Sequence, residues 1–153
     1  MRGVAIFPTI RFHNLHKYAR PAWRYRAWLH SCMERFALPS RFIRIEYYAV
    51  SRETIVELHK RFLDDDTPTD ILTFDYGDAA EILICPEVIR ENAQYYNTSF
   101  SEELRRVMIH GALHLCGLQD KTSSEEARMR AAEDFCLRAW KTSVSHETSR
   151  KGL

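Results

Sequence analysis

The stretch Met108-Ile-His-Gly-Ala-Leu-His-Leu-Cys-Gly-Leu-Gln-Asp120 restricts what this chain can fold into more than any other. His110 and His114 are four residues apart, so on a helix their side chains stack on one face, one turn apart. Two imidazoles so placed can share one metal ion, as they do on H-E-x-x-H helices. Gly117 stands where a helix would stop in a left-handed turn. Asp120 follows where a reversing chain can return a carboxylate to the histidines. The spacing H-x-x-x-H-x-x-G-x-x-D parallels the long metzincin pattern, in which a third ligand closes the site after a glycine turn. A buried helix whose histidines only bond backbone would explain the apolar setting, but not the Gly117–Asp120 continuation. We therefore expect one metal ion held by His110, His114 and Asp120. Position 111 is glycine, where a zinc peptidase would carry its general-base glutamate.

Around this stretch the apolar pattern predicts a single α+β domain over residues 1–141, with a small mixed sheet packed by helices. Its metal site would lie on a central helix and the loop that follows. The N-terminal segment to Phe12 reads as a first strand. A helix follows from about Lys17 to Ala37, with Trp23, Ala27, Trp28, Cys32 and Phe36 as the face packed on the sheet. Phe42–Val50 alternates like a strand, and Ser51 caps a helix marked by Ile55, Leu58, Phe62 and Leu63. Asp64-Asp-Asp-Thr-Pro-Thr69 breaks it as a solvated turn. Strands at Asp70–Asp75 and Glu81–Cys85 flank a turn at Tyr76-Gly77-Asp78, the second strand apolar enough to be interior. A helix opens at Pro86-Glu87 and ends near Tyr96-Asn97. Ser99 with Glu102 forms a capping box for the histidine helix, and Ser123 with Glu126 a second one for the last helix. Residues 142–153 are polar and expected to be a disordered tail.

The cysteines, Cys32, Cys85, Cys116 and Cys136, form no C-x-x-C pair, which suits free thiols in a reducing cytoplasm. Cys116 lies beside Gly117 but off the histidine face, so it reads as packing. No apolar run approaches the roughly eighteen residues of a membrane span, and Pro8 and Arg11 spoil the N-terminus as a signal peptide. Neither a membrane nor a nucleotide cofactor is expected. The net charge of +1 hides an asymmetry: residues 1–60 carry 11 Lys and Arg against 4 Asp and Glu, residues 61–120 carry 4 against 12. The basic third could meet a polyanion, although charge runs are usually solvated faces and the acidic middle argues against a simple basic cleft.

Thr67-Pro-Thr-Asp-Ile-Leu-Thr-Phe74 and, beyond a short apolar strand, His110-Gly-Ala-Leu-His-Leu-Cys-Gly117 together resemble the YbeY family, over about residues 40–137. These are bacterial single-strand-specific endoribonucleases, also described as rRNA maturation factors. The resemblance implies a zinc-dependent cytoplasmic endoribonuclease that processes the 3′ end of small-subunit rRNA and serves ribosome assembly and quality control. Its implied partners are rRNA and the ribosomal small subunit or assembly factors. The family's third metal histidine falls at Asp120, a legitimate if harder ligand, so a His2Asp set with one Zn2+ is expected. Leu63 aligns with an arginine that members place in the cleft. His59 replaces the usual asparagine, and Ala80-Glu81-Ile82 the usual Gly-Asp-Ile or Gly-Asp-Leu. Substrate-facing residues are expected among Thr69, Asp70 and Thr73, carried over from the family's cleft, and Arg105 and Arg106 beside the helix, each of which has an ordinary solvated-face alternative.

Either a water or a 2′-hydroxyl could attack the phosphodiester, and the sequence leaves both open. Two other functions compete. A ribosome-assembly factor with a structural metal is favoured by Leu63 in place of arginine. A zinc peptidase fits the metal spacing but would need Glu81, from a separate strand, as its base.

Overall fold

The computed structural model describes the backbone of residues 7–151 and the side chains of residues 7–143. Along it run β1 (Thr9–His13), α1 (Ala22–Arg35), β2 (Arg44–Ala49), α2 (Arg52–Leu63), β3 (Ile71–Asp75), β4 (Ala79–Ile84), α3 (Pro86–Tyr95), α4 (Phe100–Leu115) and α5 (Ser123–Lys151). The strands form one mixed sheet in the order β1-β2-β4-β3. β1, β2 and β4 run parallel, and β3 returns antiparallel to β4. The hairpin between β3 and β4 turns at Gly77, whose φ of +98° suits glycine, and Asp75 accepts its amide at 2.9 Å. This is the expected α+β class. β4, nearly all apolar, sits between β2 and β3.

Strand alternation sorts the core into two layers. Ile45 and Tyr47 of β2 pair in register with Ala80 and Ile82 of β4, and all four are buried under the helices around α4. Leu72 and Leu83 point to the other face, where Ile55 of α2 and Val88 cover them. Tyr47 ties sheet to helix by donating its hydroxyl to the Met108 carbonyl at 2.9 Å.

Gly111 is the point of closest approach. A Cβ there would lie 2.8 Å from Ile71 Cδ1, 3.0 Å from Ile82 Cγ2 and 3.2 Å from Thr73 Oγ1. The missing glutamate therefore has a packing cause: position 111 faces the sheet, and a side chain would push α4 off it.

Several local expectations shift. α1 starts at Ala22 rather than near Lys17, because the residue before Pro21 is biased away from helical geometry. Its buried face is Tyr25, Trp28, Leu29, Cys32 and Met33, while Trp23 is 56% exposed. That face meets other helices: Trp28 donates its indole N–H to the Cys136 carbonyl at 2.7 Å, and Tyr25 and Trp28 both pack on Trp140. Ser51 accepts from Thr54 N–H as expected. Ser99 likewise accepts from Glu102 N–H, but the Glu102 carboxylate takes the Thr98 hydroxyl instead of closing the box. At α5 the reciprocal box forms one residue early, between Thr122 and Glu125. The acids after α2 make a turn, with Asp65 accepting the Thr67 amide and hydroxyl. Of residues 142–153, expected to be a disordered tail, the α5 backbone is helical to Lys151, while the side chains from 144 on and residues 152 and 153 lie outside the described residues.

Candidate metal centre

α4 ends in a Schellman turn that shapes the site. The Gly117 amide donates to the His114 carbonyl at 3.0 Å and the Leu118 amide to the Leu113 carbonyl at 3.1 Å, with Gly117 at φ +100°. The turn brings the Leu118 carbonyl to His114 Nδ1 at 2.9 Å. A carbonyl only accepts, so His114 donates from Nδ1, and in the neutral ring that leaves the lone pair on Nε2. His110 is set the same way, by Glu133 Oε2 at 2.7 Å from its Nδ1.

The two Nε2 atoms lie 3.0 Å apart, and Asp120 Oδ2 is 3.3 Å from each. With both rings neutral, two nitrogen lone pairs and a carboxylate oxygen converge with no donor among them, which a shared cation or a proton relieves. Tetrahedral zinc with bonds of about 2.0–2.1 Å separates its ligand atoms by roughly 3.4 Å, so the triangle fits one ion. Among the described residues, these three form the group of His, Cys, Asp and Glu side chains that could hold a metal. Cys116 is not in it and its thiol, pushed up to about 12 by burial, stays protonated.

Glu133 is the residue that sequence reasoning missed. It is 6% exposed on α5 and also accepts from Arg106 Nη1 at 2.8 Å, while Arg106 Nη2 reaches Asp134 at 2.8 Å. Its signal was an acid within the apolar stripe of Met129, Ala132, Cys136 and Leu137. Burial pulls the His110 pKa down, but the Glu133 hydrogen bond and charge, then Asp120 and Asp70, outweigh it and leave His110 above its ordinary value.

A cleft of about 600 Å3 opens beside the triad, lined by His110, Asp120, Asp70, Arg106, Arg130 and Tyr96 among others. Of the residues expected to face substrate, Asp70 and Arg106 line it, though Arg106 is occupied by its two acids. Asp70 is half-buried, accepts from Asn92 Nδ2 at 3.4 Å, and is pushed up by that burial against the pull of His110. Thr69, Thr73 and Arg105 are not in the lining. Thr69 donates to the Ile71 carbonyl, Thr73 lies under Gly111, and Arg105 donates to the Tyr25 hydroxyl with its guanidinium over Trp140. Leu63 ends α2 at 62% exposure, next to Phe62, which packs edge-on against Phe74.

A small mixed-sheet domain whose central helix offers two histidines to a carboxylate beyond a glycine turn defines a protein with an HxxxH-type candidate metal centre. A family model described as endoribonuclease YbeY matches residues 13–141, and the chain belongs to that family. It is 41% identical over 109 residues to the endoribonuclease YbeY of Porphyromonas gingivalis, covering 69% of this chain and 72% of that protein. To that of Thermotoga neapolitana it is 40% identical over 113 residues, covering 67% and 74%. The solution structure of TM1509 from Thermotoga maritima superposes with a TM-score of 0.59 at 27% identity, over 90% of this chain and 95% of that one.

Proposed function

We propose that this chain is a zinc-dependent, single-strand-specific endoribonuclease of rRNA maturation. It would act on the 3′ end of small-subunit rRNA in the cytoplasm and meet the ribosomal small subunit or its assembly factors there. The observation that carries the reading is the donor-free triangle of His110, His114 and Asp120 beside an open cleft, joined to the names of the relatives. Zinc held there would supply a Lewis acid and lower the pKa of bound water towards neutrality.

The chain's own residues do the rest. Glu133 and the Leu118 carbonyl fix both imidazoles as Nδ1–H tautomers, so each keeps Nε2 for the metal. Asp120 adds the negative charge that favours a divalent ion. The peptidase alternative loses its base twice. Gly111 has no room for a side chain, and Glu81 alternates with Ala80 and Ile82, which face α4, so it points to the opposite side of the sheet. Exposed Leu63 is the feature that favours the assembly-factor reading, in which the metal is structural.

Purified protein should cut single-stranded RNA and spare duplex RNA, and His114→Ala should abolish cutting while ribosome binding persists. Equal cutting by the variant would point to a contaminating nuclease and sink the enzymatic reading.

A further inference from the structure

The walls of the cleft do not recommend it to a polyanion. Asp70, Glu102, Glu103 and Glu126 line it, and of its two arginines Arg106 is already paired with Glu133 and Asp134. Arg130, exposed on α5, makes no hydrogen bond or ion pair among the described residues. One available cation against several acids gives a phosphate backbone little to hold. If RNA enters this cleft, its affinity must come from somewhere other than charge.

The end of α3 supplies an alternative. Tyr95 is 83% exposed and Tyr96 61%, their rings edge to face with centroids 5.1 Å apart. Neither hydroxyl makes a hydrogen bond among the described residues. The pair sits at a capped helix end: Asn97 takes φ +54°, the Asn97 amide donates to the Gln94 carbonyl and the Thr98 amide to the Ala93 carbonyl. Single exposed aromatics are ordinary. Two adjacent ones, neither packed into the core nor hydrogen-bonded, are not, and Tyr96, with Tyr95 beside it outside the lining, borders the same cleft as His110 and Asp120. Such rings offer stacking faces to unpaired bases, and bases locked in a duplex cannot use them.

We propose that Tyr95 and Tyr96 form a stacking ledge for unpaired bases of a single-stranded RNA whose backbone passes Arg130 into the metal cleft, and that this ledge strengthens binding about tenfold or more. The inference rests on the endoribonuclease reading and names how single strands would be selected. Its electrostatic corollary is a shallow salt dependence, with log K falling by about 0.7 per tenfold rise in salt, as for one phosphate contact on a single strand.

The test is fluorescence anisotropy of the zinc-loaded full chain with a labelled, nuclease-resistant 2′-O-methyl phosphorothioate oligoadenylate. Tyr95→Ala/Tyr96→Ala should weaken binding about tenfold or more, with zinc content and melting temperature held. Tyr95→Phe/Tyr96→Phe should bind like the wild type, since the hydroxyls have no partner. Replacing two adjacent bases by abasic sites should weaken the wild type by a similar factor and the double alanine variant no further. A double alanine variant that binds as well as the wild type overturns the ledge and leaves a polypeptide as the surface's partner; so does a salt slope of several phosphates. Cutting of unmodified RNA by the wild type is scored separately: its absence refutes the endoribonuclease reading, whereas normal cutting with unchanged double-alanine binding refutes the ledge alone.

Discussion

Gly111→Ala puts a number on the contact that seats α4. In an exposed helix, alanine would gain about 1 kcal/mol over glycine. Here the added methyl meets Ile71 Cδ1 at 2.8 Å, Ile82 Cγ2 at 3.0 Å and Thr73 Oγ1 at 3.2 Å. The Ile71 atom is the far end of a flexible side chain and can swing away. Ile82 Cγ2 cannot, because it branches at Cβ on a fully buried residue of an interior strand. Overpacking of this kind costs about 1–3 kcal/mol, so the net effect is a loss of roughly 0–2 kcal/mol. At roughly 2–4 °C per kcal/mol for a chain of this length, melting of metal-free protein should fall by up to about 8 °C. Because relief requires α4 to move away from the sheet while Glu133 stays on α5, zinc affinity should fall as well, read by competition with a chelating indicator. A variant that melts higher by the full propensity gain and keeps its zinc affinity would refute the close seating of α4.

Glu133→Gln should lower zinc affinity about 10- to 100-fold, since it weakens the bond that fixes the His110 tautomer; an unchanged competition titration would remove Glu133 from the site. The same variant should cost metal-free protein about 1–3 kcal/mol, because Arg106 loses one of two charge-assisted bonds and keeps only Asp134. Asp70 has the opposite sign. Burial raises its folded pKa, so its contribution to stability is fully present below the ordinary carboxylate value and is lost as pH rises through the folded value. Asp70→Asn should therefore melt higher than the wild type at neutral pH, with the gap closing below about pH 3. A gap independent of pH would mean that the Asp70 carboxylate is not penalised by its surroundings.

Legibility in the sequence followed the range of the interactions. The convergence of His110, His114 and Asp120 could be read because all three lie within one helix and its turn, where spacing alone fixes geometry. The strands, the Gly77 and Gly117 turns and the Ser51 and Ser99 caps were legible for the same reason. Glu133 was not, since its bond to His110 exists only once α5 packs across α4, 23 residues on. Gly111 was read as a missing base rather than a contact, because Ile71 and Ile82 reach it only through the sheet. On α1, the spacing of Trp23, Trp28 and Phe36 admitted two neighbouring stripes, and only Trp140 and Cys136 on α5 select the one carrying Tyr25 and Trp28. The cap of α5 slipped by one residue because Thr122 and Ser123 both precede a glutamate at the right distance, and the Thr122 amide took Glu125.

Asp120 is the position on which the account turns, because the family resemblance leads one to expect a histidine there and the structure brings its carboxylate to 3.3 Å from both imidazoles. Elemental analysis of purified wild type and Asp120→Ala, at matched zinc and after the same desalting, addresses it directly. The account predicts one zinc per wild-type chain and a largely metal-free variant, with Asp120→His recovering the metal. Full retention of zinc by Asp120→Ala would contradict it and leave the two histidines needing another partner.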